Sequence, residues 1–390
     1  MSTGTSSTPM DLSRAVQALE RRYGEMFTNG DGVPFAVRAP GGPAHRLGHG
    51  EPAFTLVATH PRGAGALASL DQLAVGAAYL NGEIDLEGDF LAAINLRDLF
   101  HDRHPVKYAW RFVQPLLRGQ VKSDEAWIAE HYDYEQDFYL LWLDGRHRCY
   151  SQGVFEHDGE ALEDAMTRKL DFAIQAVGAK AGDRVLDIGG GWGAFSEHAG
   201  KRGIHVTSLT ISRASEAFLR AMIDREGLPC QVLREHFYQH APGEKYDAIV
   251  NLGVTEHLPD YRASLKKYGE LLKPGGKLYL DASATRRKGG HAAFLEKYIY
   301  PGNGALMCLH EYLAEVARSP FRLRGVWDDN HSYALTLRHW ATRLDAAREE
   351  IERRWGKELY RKFQIYLWGA AEGHRTERNQ AYRVVLENPA

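Results

Sequence analysis

Asp187-Ile188-Gly189-Gly190-Gly191-Trp192-Gly193 sets a carboxylate and four glycines directly before a segment of helical pattern that starts near Ala194. Glycines let a backbone come close to a ligand because no Cβ intervenes, and a helix start offers unpaired N–H donors. The apolar lead-in Arg184-Val185-Leu186 makes the whole a strand, a turn and a helix, the cradle of a nucleotide-type cofactor. Taken alone, the turn fits two cofactor classes. Gly189, Gly191 and Ala194 also satisfy the G-x-G-x-x-G/A spacing of dinucleotide-binding folds. Further along, Asn251-Leu252-Gly253-Val254-Thr255-Glu256-His257-Leu258 carries a carboxylate and an imidazole to the end of another apolar run.

The elements that must position these groups follow from periodicity. Strands are expected at Arg184–Ile188, His205–Ile211, Cys230–Arg234, Tyr246–Leu252 and Lys277–Asp281. Helices are expected between them at Ala194–Arg202, Ala214–Glu226 and Tyr261–Leu272, the last stopped by Lys273-Pro274-Gly275-Gly276. Such alternation predicts a doubly wound, largely parallel α/β sheet with ligands at the carboxyl ends of its strands. Residues 291–380 show long helical patterns rich in Arg, Glu and Trp, expected as a cap beside the sheet. Before residue 100 the pattern is mixed. Asp11–Met26 is an amphipathic helix with Val16, Leu19 and Tyr23 on one side, residues 33–62 are short strands broken by Pro40-Gly41-Gly42-Pro43, and Ala66–Leu80 is a helix stopped by Asn81-Gly82. Charge and the prolines Pro105 and Pro115 place a boundary between 102 and 125, giving domains 1–120 and 121–390.

A dinucleotide fold wants an acid at the end of the second strand, about 20 residues past the glycines, to hold a ribose. Ser208-Leu209-Thr210-Ile211-Ser212 has none, and the acid sits before the glycines at Asp187. Together these features resemble S-adenosylmethionine-dependent methyltransferases. His131-Tyr132-Asp133, Phe138-Tyr139 and Leu141-Trp142-Leu143-Asp144 resemble the entry segment of the cyclopropane-fatty-acyl-phospholipid synthase family. Tyr150-Ser151, Leu209-Thr210-Ile211-Ser212 and Glu256-His257 resemble three of its short motifs. Phe294–Gly302 and Tyr333–Trp340 resemble its F-x-x-K-Y-I-F-P-G and Y-A-L-T-L-R-x-W blocks, and Ala78–Asp89 resembles segments of its first domain. The resemblance runs in register from about residue 33 to the C-terminus.

It implies a Rossmann-like class I methyltransferase sheet with a helical cap, and a smaller N-terminal α+β domain that associates with lipid or membrane. The implied cofactor is S-adenosylmethionine, with Tyr132, Tyr150, Ser151, Asp187, Gly189, Gly191, Trp192, Thr210, Ser212, Ser215 and His236 at the positions that hold it. At Ser215 and His236 the family has Gln and Asp. The implied reaction methylates a double bond in an unsaturated phospholipid acyl chain, leaving a carbocation that then loses a proton. Aromatic faces suit such a cation, and Tyr298, Tyr333 and Phe155 are the candidates.

A bound bicarbonate is the implied base, caged by a Cys, a Glu, a His, an Ile and a Tyr. Glu256 and Tyr333 are retained, but Gln152 stands for the Cys, Asp281 for the His and Ser283 for the Ile. A further carboxylate beside an anion site argues against the usual bicarbonate arrangement. Asp281 or Glu256 is then the expected proton acceptor, and the product a methylated, methylene-bearing or cyclopropane chain.

Composition bounds the alternatives. A net charge of −3 over 390 residues offers no global attraction to nucleic acid, so no such partner is expected. The first residues lack a secretion-signal layout, and the three cysteines, widely spaced, suit a reduced compartment. A cytoplasmic protein lying peripherally at the inner membrane face is expected, and the resemblance implies a homodimer. His236 and His240 lack a third partner, so no metal is expected. Two other functions remain open: a small-amine N-methyltransferase, since plant alkaloid enzymes resemble the same family, and an inactive adenosylmethionine- or lipid-binding homologue.

Overall fold

The computed structural model describes residues 10–102, 136–287, 293–299 and 305–389. They divide into two compact units. The first gathers the N-terminal residues up to Asp102 with Ala293–Tyr298 and Arg348–Gly369. The second holds the remainder. The chain boundary expected near residue 120 lies outside the described residues. Of the segment read as a cap beside the sheet, 348–369 groups with the first unit.

Helix Ser13–Met26 buries Val16, Leu19 and Tyr23, the face expected from its periodicity. A four-stranded sheet runs in the order β2-β1-β3-β4, from β1 (Phe35–Arg38), β2 (His45–Leu47), β3 (Phe54–Ala58) and β4 (Ile84–Gly88). Phe35, Val37, Phe54, Leu67 and Ile84 pack with Leu19 in its core. The single helix expected over Ala66–Leu80 is two, Pro61–Ser69 and Gln72–Leu80. Leu70 takes φ +53° between them, and Asp71 caps the second by accepting from Ala74 N at 2.7 Å. An apolar pattern of constant period hides such a break, because the interruption lies in the backbone and not in side-chain polarity.

The second unit carries a seven-stranded sheet in the order β10-β11-β9-β8-β5-β6-β7. Its strands are β5 (Arg184–Ile188), β6 (His205–Thr210), β7 (Gln231–Arg234), β8 (Tyr246–Leu252), β9 (Leu272–Ala284), β10 (Arg322–Asp328) and β11 (Gln380–Glu387). The first five are parallel, as expected, and β11 is antiparallel to both its neighbours. β10 went unseen within 291–380, the region read as helical, and β11 starts at the last residue of that region, where no strand was expected. β9 also begins earlier than expected, taking in Lys273–Gly276, where its pairing with β8 jumps from Tyr246↔Leu272 to Ala248↔Lys277. Leu186, Ile188, Ile249, Leu278, Leu280 and Val384 are almost fully buried and form one core. From β5 the chain winds outward through β6 and β7, then returns to the other side of β5 as β8. The carboxyl ends of β5 and β8 therefore flank the switch point, where open α/β sheets bind ligands.

Within the first unit, Arg361 ties helix Lys357–Arg375 to β4. It is 1% exposed, donates to the carbonyls of Tyr79 and Ile84 at 2.5 and 3.1 Å, and pairs with Asp85 at 2.7 Å. R361M removes a buried donor from the Tyr79 and Ile84 carbonyls and from Asp85, although Gly82 N still serves Tyr79 and Leu86 N and Lys357 still serve Asp85. The first unit is therefore expected to lose about 2 kcal/mol in chemical denaturation. A loss under about 1 kcal/mol would show the contact to be incidental.

Candidate active site

The glycine turn sits at the carboxyl end of β5. Gly189 N and Gly190 N both donate to Leu209 O on β6, at 3.0 and 2.8 Å, which folds the turn across the neighbouring strand. Gly189, Gly191 and Gly193 take φ of +80°, +50° and +81°, a region open to glycine at no steric cost. A Cβ on Gly189 would stand 2.3 Å from Val254 Cγ2, one residue before the turn that carries Glu256. Among the described residues, a Cβ on Gly191 would meet only Gly189 O, 3.7 Å away.

Asp187 is buried and accepts from Ser208 Oγ at 2.7 Å. Burial pushes its carboxyl up to about 6, against the pull of Ser208. On the β6 side, Thr210 Oγ1 accepts from Ser212 N, and Ser212 Oγ caps helix Arg213–Glu226 by accepting from Ser215 N. Ser215 Oγ donates to Gly191 O at 2.6 Å, so its hydroxyl braces the glycine turn. His236 is buried and caps the turn Phe237–Gln239 through Nδ1, which accepts from Tyr238 N. His240 is bound by Glu235 and Tyr246.

Across the pocket, Lys169 of helix Leu162–Val177 and Asp281 of β9 are both fully buried and form an ion pair at 3.1 Å. Lys169 Nζ also donates to Ser151 Oγ and lies 3.4 Å from Cys149 Sγ. Burial opposes charge on Lys169, but Asp281 and Cys149 outweigh it and hold the ammonium above the usual lysine range. This corrects the expectation of an uncompensated carboxylate at 281. With the lysine holding its own proton and the aspartate bound to it, Asp281 is no free proton acceptor.

Glu256 Oε1 accepts from Ser283 N at 2.6 Å, while Oε2 is buried with no partner among the described residues. Burial, reinforced by Asp281, pushes its carboxyl up to about 7 even though main-chain N–H donors pull it down. Gln152 is 1% exposed, and neither atom of its amide has a partner among the described residues.

An aromatic wall runs from the glycine turn towards Ser283. Ring centroids stand 5.6 Å apart for Trp192–Tyr139, 5.5 Å for Tyr139–Tyr150, 5.5 Å for Tyr150–Trp340 and 6.4 Å for Trp340–Tyr333. It continues from Tyr333 to His374 at 4.6 Å, and His374 Nε2 lies 3.4 Å from Ser283 Oγ. Tyr150, Ser151, Trp192, Glu256, Asp281 and Tyr333 thus come together with the glycine turn in one unit. Phe155 stacks on His339 instead, with centroids 5.7 Å apart. Tyr298 belongs to the first unit, beside Phe294 and Lys297. Tyr132 lies outside the described residues.

This sheet order and glycine turn define a class I S-adenosylmethionine-dependent methyltransferase fold. The mycolic acid cyclopropane synthetase family model matches residues 120–384, and the chain belongs to that family. A sphingolipid C9-methyltransferase of Candida albicans is 26% identical over 332 residues, 79% of this chain and 64% of its own length. The chain therefore spans somewhat under two thirds of that relative. A probable fatty acid methyltransferase of Pseudomonas putida is 27% identical, over 82% of this chain and 83% of its own. Among solved structures, the mycolic acid cyclopropane synthase CmaA1 complexed with SAH and CTAB superposes with a TM-score of 0.63 at 26% identity. That match covers 67% of this chain and 98% of CmaA1.

The cofactor of the family fits here. Gly191 leaves free the space a Cβ would fill, and the buried Asp187 stands beside it at the end of β5. Bicarbonate does not fit. Lys169 spends its charge on Asp281 and Arg383 spends its own on Asp329, so a second anion beside Glu256 and Asp281 would meet carboxyl groups rather than a free cation.

Lys169 and His374 escaped sequence reading, since each stands in a helix that offers no motif. An acid on a buried strand was the available signal for Lys169, because such a group needs a partner. Cys308, His310 and Glu311 also went unnoticed; one ligand atom from each lies within 4.8 Å of the others.

Two predictions follow from the charges. K169M strands Asp281 and is expected to lose about 3–5 kcal/mol of stability, most of it regained in K169M/D281L; additive losses in the double variant would contradict the pairing. Glu256 holds its proton more tightly folded than unfolded, so its contribution to stability falls as pH rises from about 4.5 to about 7. Between those limits the stability difference between E256Q and wild type should move by about 3 kcal/mol in favour of E256Q, read from urea midpoints. A difference that stays constant with pH would show that Glu256 titrates normally.

Proposed function

We propose that this chain methylates a carbon–carbon double bond in an unsaturated acyl chain of a phospholipid, through a carbocation that then loses a proton. The observation that carries this reading is the aromatic wall from Trp192 to Tyr333, joined to the Glu256–Ser283 contact. The lipid-directed names of the relatives support it. Bound adenosylmethionine supplies an electrophilic methyl group.

An alkene is a weak nucleophile, so the protein must hold it close and in line, with water kept out. Trp142, Tyr139 and Tyr150 are packed ring against ring, and Trp142 and Tyr139 are nearly inaccessible, which makes that side dry and apolar. The faces of Tyr150 and Tyr333 suit a cation that has no counterion of its own. With its carboxyl pushed up to about 7, Glu256 is mostly protonated below neutral pH, which lets apolar substrate approach without a full charge beside it. A mid-chain double bond lies inside a bilayer, so we read the acyl chain as drawn in by peripheral contact with the membrane.

Incubation with vesicles of unsaturated phosphatidylglycerol and phosphatidylethanolamine, with methyl-labelled adenosylmethionine, is expected to place label in the acyl fraction. NMR of that fraction identifies the product as methylated, methylene-bearing or cyclopropane. Saturated vesicles should take up none. Absence of label from every unsaturated lipid would refute the reading.

A further inference from the structure

We propose that His374, acting through the Ser283 hydroxyl, receives the proton released in this reaction. The inference rests on the methylation reading above. His374 lies near the end of helix Lys357–Arg375, is 2% exposed, and faces Ser283 beside the retained Glu256 and Tyr333.

Its tautomer is fixed by Asn330. Asn330 Nδ2 donates to the His374 main-chain carbonyl at 2.8 Å, which orients the amide and leaves Oδ1 as an acceptor. That oxygen lies 2.7 Å from His374 Nδ1, so Nδ1 carries the hydrogen. Nε2 is left as a bare lone pair, 3.4 Å from Ser283 Oγ, whose hydroxyl can donate to it. Catalytic hydrogen bonds are often this long without substrate and shorten when it binds. Burial also drives the imidazole down to about 3, which keeps it unprotonated at neutral pH.

A low pKa is no obstacle here. A C–H bond next to a carbocation is far more acidic than an imidazolium, so transfer runs downhill. In the step, methyl transfer forms the C–C bond as the S–CH₃ bond breaks, leaving the cation on the chain. A C–H bond then breaks, and its electron pair forms either the cyclopropane C–C bond or a C=C bond. The proton passes to Ser283 Oγ as that oxygen gives its own to Nε2. The resulting imidazolium keeps Asn330 Oδ1 as acceptor on its other nitrogen and later returns its proton to water. The departure at 283 thus becomes part of one device: the Ser in place of Ile makes room for a hydroxyl, and His374 gives that hydroxyl somewhere to pass a proton.

The test compares wild type, H374A and S283A in transfer of labelled methyl to unsaturated phospholipid vesicles, with adenosylmethionine affinity measured for each. H374A is expected to retain cofactor binding, lose about 10²–10⁴-fold in kcat, and regain at least about tenfold with added imidazole, a rescue that a packing role would not show. S283A should also be slow but gain nothing from imidazole. An H374A rate within about threefold of wild type, with wild type active, overturns this inference alone. Inactivity of wild type on every lipid overturns the methylation reading and this inference with it. Should H374A fail to fold, nitrogen NMR of histidine-labelled wild type decides: a non-protonated Nε2 at pH 7 is expected, and a protonated Nε2 overturns the assignment.

Discussion

Lys169 and Asp281 face each other at 3.1 Å, both fully buried, one on the helix that precedes β5, the other on β9. An ion pair so deeply buried is weak evidence for added stability, because desolvation of both groups offsets their attraction. It is strong evidence about geometry, since neither charge tolerates losing the other. Ser151 and Cys149 close around the same ammonium, which fixes the segment that leads into Gln152. The Asp281 carbonyl accepts from Gly253 N, which anchors the loop that delivers Glu256. Four chain segments, the helix of Lys169, β9, the stretch before Gln152 and the loop before Glu256, therefore converge on one internal charge balance.

That balance sets the electrostatics of the pocket. With Lys169 committed to Asp281 and Arg383 to Asp329, neither of these two buried cations is left over to attract an anion, and the carboxyl of Glu256 rises towards neutrality. The pocket is then a dry, aromatic and nearly neutral space, suited to an apolar chain and to a cation formed on it. Four residues that differ from the family pattern or lie outside its motifs come from three places in the second unit: Gln152 before helix Leu162–Val177, Asp281 and Ser283 on β9, and His374 near the end of helix Lys357–Arg375. Their effects are understood together: Asp281 takes up the lysine, Ser283 frees a hydroxyl, and His374 faces it.

The five parallel strands were legible because each is a short apolar run bounded by turn residues, and Asp187 and the glycines followed from their place after the first of them. Glu256 was legible for the same reason at β8. β10 and β11 were not, since Arg322–Asp328 is largely exposed and its charged residues resemble a helix surface. The break at Leu70 was hidden by uniform apolar spacing. The partner of Asp281 was invisible because Lys169 follows Arg168 on an amphipathic helix, where two adjacent basic residues read as one solvated face. His374 was invisible for a related reason: the meaning of an imidazole lies in what meets it, and Asn330 and Ser283 are distant in sequence.

A pocket that balances its own charge internally needs no external anion. The most direct measurement is the initial rate of methyl transfer to unsaturated phospholipid vesicles in carbon-dioxide-free buffer, with and without added bicarbonate. The rate is predicted to be the same in both, within about twofold. A rise of about tenfold or more on adding bicarbonate would show that an anion binds where Asp281 and Glu256 stand, and would contradict the account.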